Sequence, residues 1–559
     1  MNKRHRRKRL HYIYRSADSA SRSYGHSLAP LSRGPIDCIG PVLAAMFLLV
    51  ALFCPVSVVQ ALAPTAANPT LSCHLVNEHG KPIHPSNIAV VGEDLYLLDT
   101  QNMWCVPGGR NRLHNGKTLF AFNVGPAIPK VGTIPVQEFS TFTYTPGRGT
   151  IAVLDKSGDI FEYSVARMTW SVMRPNVPFG SPDPEYLDMA CAESGKNVVL
   201  LDPERNQIWR FPATNQRYFL EILPWRLRPG DISVADGIAV ANDGFTWVLR
   251  RSGAIAKFQA ASDAGMAHQL AYKWQVIPGM RPSRMFTSKD TPLYVVEREN
   301  NRVVEIDKAS GSAKQFLFPA NSDIRGLYPE KDGFWVLNDD YLVHRTLSSA
   351  DSPTNRPIAR GIDPRLLALQ MPLAGAHLPR HPGVWPGARR LYRYGVHKGT
   401  DYFHDPGNGT IIAMGTPAHA AAAGTVIRAD GEFRDMSSSI YSHVMYECHN
   451  QHESSERNED LLRGCQVWID HGNGLITKYA HLDKIRPGLR TGTRVDAGDL
   501  VGFVGVSGTG ENLPGRSKHP HLHFEVWLDG NYVGSGLTPS ETIGVYEDVF
   551  AKRPRGLKV

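Results

Sequence analysis

His519-Pro520-His521-Leu522-His523-Phe524-Glu525-Val526 lies near the C-terminus, and the rest of the chain is read outward from it. Phe524, Val526 and Trp527 favour a strand, and Asp529-Gly530 supplies a two-residue turn of the kind that closes hairpins. Alternate side chains of a strand share a face, so His521 and His523 project together while Leu522 points to the other side. Two imidazoles on one face are often no more than solvated surface residues. What sets this pair apart stands upstream, in Gly395-Val396-His397-Lys398-Gly399-Thr400-Asp401. The even spacing puts His397 and Asp401 on one side of an extended segment, and Gly399 permits close backbone approach. Imidazole, carboxylate and imidazole make a workable zinc set, because a catalytic zinc takes three protein ligands and leaves a fourth position for water. His397, Asp401 and one of the two strand histidines fill three positions, and the other strand histidine faces the open one.

Further stretches follow the same order as a known family: Gly415-Thr416-Pro417 with Gly424-Thr425-Val426, Asp470-His471-Gly472-Asn473-Gly474, and Tyr479-Ala480-His481-Leu482. Together with the two histidine stretches they resemble the lysostaphin-type (LytM-like) zinc endopeptidases of bacterial cell walls, over residues 372–545. The resemblance implies a β-rich peptidase domain that takes Zn2+ on His397, Asp401 and His523, with His481 and His521 as catalytic histidines not bound to the metal. It also implies peptidoglycan peptides as substrate. Two segments depart from the family pattern, an insertion around 431–465 and a long run from Ser507 to Lys518. Loops beside a groove commonly set preference among substrates, so the departures bear on which peptide is cut.

The hairpin reading of Gln466 to Asp470 and Leu475 to Tyr479 delivers His481 at the end of its second strand. His471 sits at the turn, where a local hydrogen bond is its expected role, and His404, His419, His443 and His519 are read the same way.

The formal net charge of +8 resembles a nucleic-acid signal, but residues 1–35 hold nine Lys or Arg against Asp18 alone, which accounts for the whole excess. The remaining chain is formally neutral, and nucleic acid is not an expected partner. After this basic start, Val42 to Phe53 is uninterruptedly apolar, which suits the core of a signal peptide better than a span of about 20 residues. Val59-Gln60-Ala61 offers a cleavage site, so residues 1–61 read as a signal peptide or an uncleaved signal anchor. In either case the bulk of the chain is expected to be exported to the periplasm or cell envelope, with a membrane contact only through an uncleaved N-terminal segment.

Export shapes the reading of the seven cysteines. Cys38 and Cys54 belong to the targeting segment, Cys73 and Cys105 have the opportunity to pair, and Cys191 is left over. Cys448 and Cys465 bracket the insertion, and a disulfide between them is expected in preference to a second zinc site with His449 and His452. Glu453 to Asp460 is polar and expected to be exposed.

Between Val76 and Leu347 one pattern recurs, an apolar strand ending in a polar residue and followed by a second strand. The residues Asp99, Asp155, Asp202, Arg250, Glu297 and Asn338 mark the copies, at steps of 56, 47, 48, 47 and 41. Short strands at this period predict a β-propeller, here of six blades. The segment resembles NHL-type propellers in architecture only, and its expected role is a scaffold or a platform for a protein or glycan partner. The acidic strand ends are assigned to hairpin turns rather than to a central metal.

The fold class expected is therefore all-β: a six-bladed propeller over 76–347, a linker over 348–371, and a β-rich LytM-like peptidase domain. The expected function is hydrolysis of peptidoglycan peptides. The alternatives are a non-hydrolytic wall-binding or hydrolase-activating protein, in which ligands are typically lost, and a chain whose principal working part is the propeller.

Overall fold

In the computed structural model, residues 71–551 are described, apart from 127–129, 174–184, 193–194, 196, 213–222, 226–232, 261–266, 353–354 and 358. The expected targeting segment and the expected cleavage site lie outside these residues. No described helix is long and apolar enough to cross a membrane.

The four middle repeats each form a four-stranded antiparallel sheet, and the strands of the first and last repeats join in one eight-stranded sheet. Five of the marker residues close the second strand of their repeat, in Thr150–Asp155, Asn197–Asp202, Thr246–Arg250, Leu293–Glu297 and Gly333–Asn338, and Asp99 directly follows the corresponding strand Asp94–Leu98. The first strands neighbour one another round a closed ring: Asn87–Val91, Phe139–Thr145, Asp188–Cys191, Gly237–Asn242, Arg284–Phe286, Ile324–Glu330 and back to the start. The long first step of the repeat accommodates an extra two-stranded hairpin, Lys130–Val131 with Ile134–Pro135.

Ring closure comes from Ser72–Asn77, which precedes the first repeat. It pairs antiparallel with Tyr341–Thr346 as the fourth strand of the last sheet, and runs parallel to Leu119–Gly125 of the first. Closure in this way leaves no free strand edge between the first and last sheets. The acidic strand ends serve the turns, as expected. Asp99 accepts the backbone N–H groups of Gln101 and Asn102 and the indole N–H of Trp104, and Asp202 accepts the backbone N–H of Arg205 and the indole N–H of Trp209.

The second part is built on a seven-stranded sheet. Along its main path the strands run Thr400–Tyr402, Leu522–Leu528, Leu475–Ala480, Val467–Gly472, Gly424–Ala429 and Arg494–Val495, and Asn531–Tyr532 also pairs with Leu522–Leu528. Asp529 and Gly530 both have positive φ, 50° and 83°, as a tight hairpin turn requires. Leu522, Phe524 and Val526 are buried with Leu475, Tyr479, Val467 and Ile469 in one core. Each such side chain contributes about 1.5–3 kcal/mol on burial. The opposite face of Leu522–Leu528 is thereby fixed for His523 and Glu525.

Propeller and peptidase domain pack together within one compact unit. Glu138 accepts the Tyr532 hydroxyl at 2.5 Å and the Gly536 N–H at 2.7 Å. Three sheets further round the ring, Arg281 bridges Glu299 and Asp548 at 2.7 and 3.1 Å.

The insertion corrects two expectations. It folds as two capped helices, Ser438–Gln451 and Glu456–Arg463, with Ser437 and Ser455 as N-caps. Acidic residues in the first turn of the second helix and Arg463 in its last complement the helix dipole. Glu453 to Asp460 is thus not a solvated loop, and Ser454, Asn458 and Glu459 are buried. Nor is there a disulfide, since Cys448 and Cys465 are both buried free thiols. Cys448 Sγ lies against Ser454 Oγ and Asn458 Nδ2, both at 3.7 Å, whereas Cys465 Sγ lies 3.5 Å from the Asp430 carbonyl. Helix formation carries the two thiols into separate environments. Cys73 and Cys105 are also unpaired.

Candidate active site

Register brings the site together. Asp401 is the cross-strand partner of His523 on one side, and Ala480 is its partner on the other. His481 therefore follows directly beside His523, at a left-handed φ of 58° that turns the chain out of the strand. Gly399 lies over His523. A Cβ there would stand 2.8 Å from the Phe524 carbonyl oxygen and 2.9 Å from the His523 ring, so only glycine fits.

Three donor atoms converge. His397 Nε2 lies 3.0 Å from Asp401 Oδ1 and 2.9 Å from His523 Nδ1, and His523 Nδ1 lies 2.8 Å from Asp401 Oδ1. Among the described residues, this is the one group of three or more His, Cys, Asp or Glu side chains able to hold a metal ion. Ligand atoms of a tetrahedral zinc stand about 3.3 Å apart, so a small outward spread of this triangle separates it from a metal shell. The remaining atoms of each side chain are tied elsewhere. His397 Nδ1 donates to the Trp385 carbonyl, His523 Nε2 donates to Glu525, and Asp401 Oδ2 accepts from Arg390. Neutral imidazoles held in this way turn two bare ring nitrogens toward one carboxylate oxygen, an arrangement that calls for a cation or a proton between them.

The charge states agree with that reading. Burial, then the Arg390 guanidinium, pushes His397 down to about 3. For His523 burial acts in the same sense, but hydrogen bonds to Asp401 and Glu525 outweigh it and raise its pKa. The proton so favoured on His523 is the one a cation would displace. Burial opposes ionisation of Asp401, yet the two histidines hold it well below the usual carboxylate range.

His481 and His521 stand beside the triangle, with ring centroids 4.8 Å apart, and His481 is 5.5 Å from His523. His481 Nδ1 donates to the Ser507 carbonyl and His521 Nδ1 to that of His519, which leaves each Nε2 as an acceptor. Burial keeps both rings neutral, with their pKa values below the usual range. His521 also stacks on Phe403 at 4.1 Å. All five residues line a cavity of about 340 Å3, whose other walls come from the insertion, including Tyr441 and Leu462, and from the loop Gly508 to Glu511. The remaining histidines serve locally. His471 bonds the Ala423 carbonyl and Thr477, His404 accepts from Ile412 N–H, His419 bonds the Gly498 carbonyl, and His519 pairs with Glu511.

Sequence reasoning missed Arg390, Glu459 and Arg463, which bear on the site from the lead-in and the insertion. Glu525 was visible only as the next residue on the face shared by His521 and His523.

Two imidazoles and a carboxylate on a β-sheet, with two further imidazoles beside them, are a donor set suited to holding a metal ion. Residues 395–535 match the model of Peptidase family M23. Among characterised proteins, the peptidoglycan DD-endopeptidase ShyC of Vibrio cholerae is 33% identical over 135 residues, 24% of this chain and 21% of that protein. ShyA of the same organism, also a peptidoglycan DD-endopeptidase, is 30% identical over 132 residues, 23% of this chain and 22% of that one. Protease LasA of Pseudomonas aeruginosa is 35% identical over 74 residues, 13% of this chain and 17% of that protein. The chain thus spans under a quarter of the length of each of these relatives. Among solved structures, virginiamycin B lyase of Staphylococcus aureus is similar at a TM-score of 0.34 and 13% identity, covering 50% of this chain and 99% of that one.

Proposed function

We propose that the chain is an exported zinc metalloendopeptidase that hydrolyses peptide bonds in the stem or cross-bridge peptides of peptidoglycan, with the propeller as a scaffold or binding domain. One observation carries the reading: His397 Nε2, Asp401 Oδ1 and His523 Nδ1 converge within 3.0 Å of one another in a cavity that His481 and His521 also line. The DD-endopeptidase relatives support peptidoglycan as the substrate class. Export rests on the apolar run Val42 to Phe53 behind a basic start.

His397, Asp401 and His523 would hold the zinc, which when bound would supply Lewis acidity to make a water nucleophilic near neutral pH and to polarise the scissile carbonyl. The chain's own residues do the rest. A neutral Nε2 on His481 or His521 takes the proton of the attacking water, and a protonated Nε2 then donates to the developing oxyanion or the leaving amine. The Ser507 and His519 carbonyls fix the tautomers that make this possible. Arg390 donates to Asp401 Oδ2 and so aligns the carboxylate.

Digestion of purified sacculi with and without a chelator, followed by mass analysis of released fragments, tests the proposal. Chelator-sensitive release of peptide-cleaved fragments is expected. Intact sacculi after incubation with zinc-loaded protein would refute it.

A further inference from the structure

The insertion departs from the family pattern, and such a segment would ordinarily be assigned to substrate preference. Its second helix, Glu456–Arg463, reaches the metal site by three routes. Arg463 Nε donates to Glu525 Oε1 at 2.6 Å, and the same oxygen accepts from His523 Nε2 at 2.9 Å. Arg463 also lends its carbonyl to the N–H of His481 at 2.9 Å, just where that residue takes up its left-handed conformation. Glu459 pairs with Arg463 at 3.3 Å and with Lys398 at 2.6 Å, and Lys398 directly follows His397.

The energetics give Arg463 weight. Glu525 is fully buried, and a buried carboxylate without charged partners is strongly disfavoured. Its other partners are the Trp527 indole N–H at 2.6 Å and Lys478 at 3.5 Å. Arg463 is the guanidinium bonded to the oxygen that orients His523. Without it, Glu525 would be free to turn toward Lys478, and His523 would lose the acceptor that presents Nδ1 to the metal.

We infer that Arg463 is a positioning residue for the metal site, so that the insertion is part of the zinc-binding apparatus and not only a wall of the groove. This rests on the reading of His397, Asp401 and His523 as the ligands. The effect acts through Glu525 on His523, through the Arg463 carbonyl on His481, and through Glu459 and Lys398 on the turn that carries His397.

The test compares Arg463→Met, Arg463→Lys and Glu459→Gln in the full chain with Arg428→Met, which removes the outer anchor of the same helix at Asp460 without reaching the site. Zinc affinity is measured by competition with a chromophoric chelator, the visible spectrum is recorded with Co2+, and melting of the metal-free proteins controls for folding. Arg463→Met should weaken zinc about 10- to 100-fold and alter the cobalt spectrum, with part of both recovered in Arg463→Lys. Arg428→Met should leave both near wild type. Should Arg463→Met fail to fold, Glu459→Gln carries the test, with a several-fold loss of zinc affinity expected. Wild-type affinity and an unchanged cobalt spectrum in Arg463→Met, or in Glu459→Gln where that variant carries the test, would overturn the inference. A wild-type chain that binds zinc but leaves sacculi intact refutes the proposed function alone, whereas one that binds no zinc overturns the ligand reading and this inference with it.

Discussion

Asp401 and His523 face each other across two paired strands, Oδ1 to Nδ1 at 2.8 Å, with their Cα atoms in direct register. The pairing of these two members of the candidate metal site is therefore a property of the sheet. His397 enters from a buried position four residues before Asp401, its outer nitrogen fixed on the Trp385 carbonyl.

That geometry separates the five site residues by assay. His397→Ala, Asp401→Ala and His523→Ala should lose zinc and hydrolysis together, because two remaining ligands hold the ion poorly. His481→Ala and His521→Ala should retain near-stoichiometric zinc and lose roughly 10²- to 10³-fold in turnover. Elemental analysis beside a wall-digestion assay reads both halves. Metal lost from His521→Ala but kept in His523→Ala would reverse the assignment.

Gly399→Ala should damage the site without touching a donor atom. Its added Cβ would meet a backbone oxygen and the His523 ring, neither able to yield without moving the strand or the ligand. A cost of about 1–3 kcal/mol is expected from the overpacking, together with weaker zinc binding. Thermal melting with and without metal should show the larger loss in the zinc-loaded protein. Equal zinc stabilisation in both proteins would show that His523 is unaffected.

The legible parts of the chain were those with a short period. The strand alternation that pairs His521 with His523, the even spacing of His397 and Asp401, and the recurring strand ends could all be read locally. Ser72–Asn77 could not, because its partner Tyr341–Thr346 lies at the other end of the ring and no local pattern announces the pairing. The helix Glu456–Arg463 was hidden for a different reason. Its composition is polar, and polar composition ordinarily means exposure, yet Glu459 is buried among Arg393, Lys398 and Arg463. The cysteines bracketing the insertion invited a disulfide that the helices make unnecessary.

Cys448 and Cys465 should accordingly be recovered as free thiols. Non-reducing peptide mapping of native protein is expected to find both unlinked, and alkylation before unfolding should be slow. Burial pushes the Cys465 thiol up to about 12, so its thiolate is scarce near neutral pH. A Cys448 to Cys465 linked peptide in the map would contradict the described fold of the insertion.

The closing strand of the propeller offers the last prediction. Leu75 is fully buried in the core shared by the first and last sheets, with Leu119, Trp335, Leu337 and Leu342 among its neighbours. Leu75→Ala removes apolar contact from both sheets at once and should cost about 2–5 kcal/mol. Deletion through Asn77 should go further, exposing the edges of Tyr341–Thr346 and Leu119–Gly125, which the strand now covers. Because the peptidase domain docks on the ring through Tyr532, Gly536 and Asp548, loss of closure is expected to loosen that contact as well. Hydrogen exchange of Leu75→Ala should therefore show faster exchange first in Tyr341–Thr346 and Leu119–Gly125, then around Gly534 to Gly536. Protection in Leu522–Leu528 should be retained, since its hydrogen bonds lie within the peptidase sheet. Simultaneous loss of protection in both domains would mean that they unfold as one cooperative unit and that the peptidase fold depends on the closed ring.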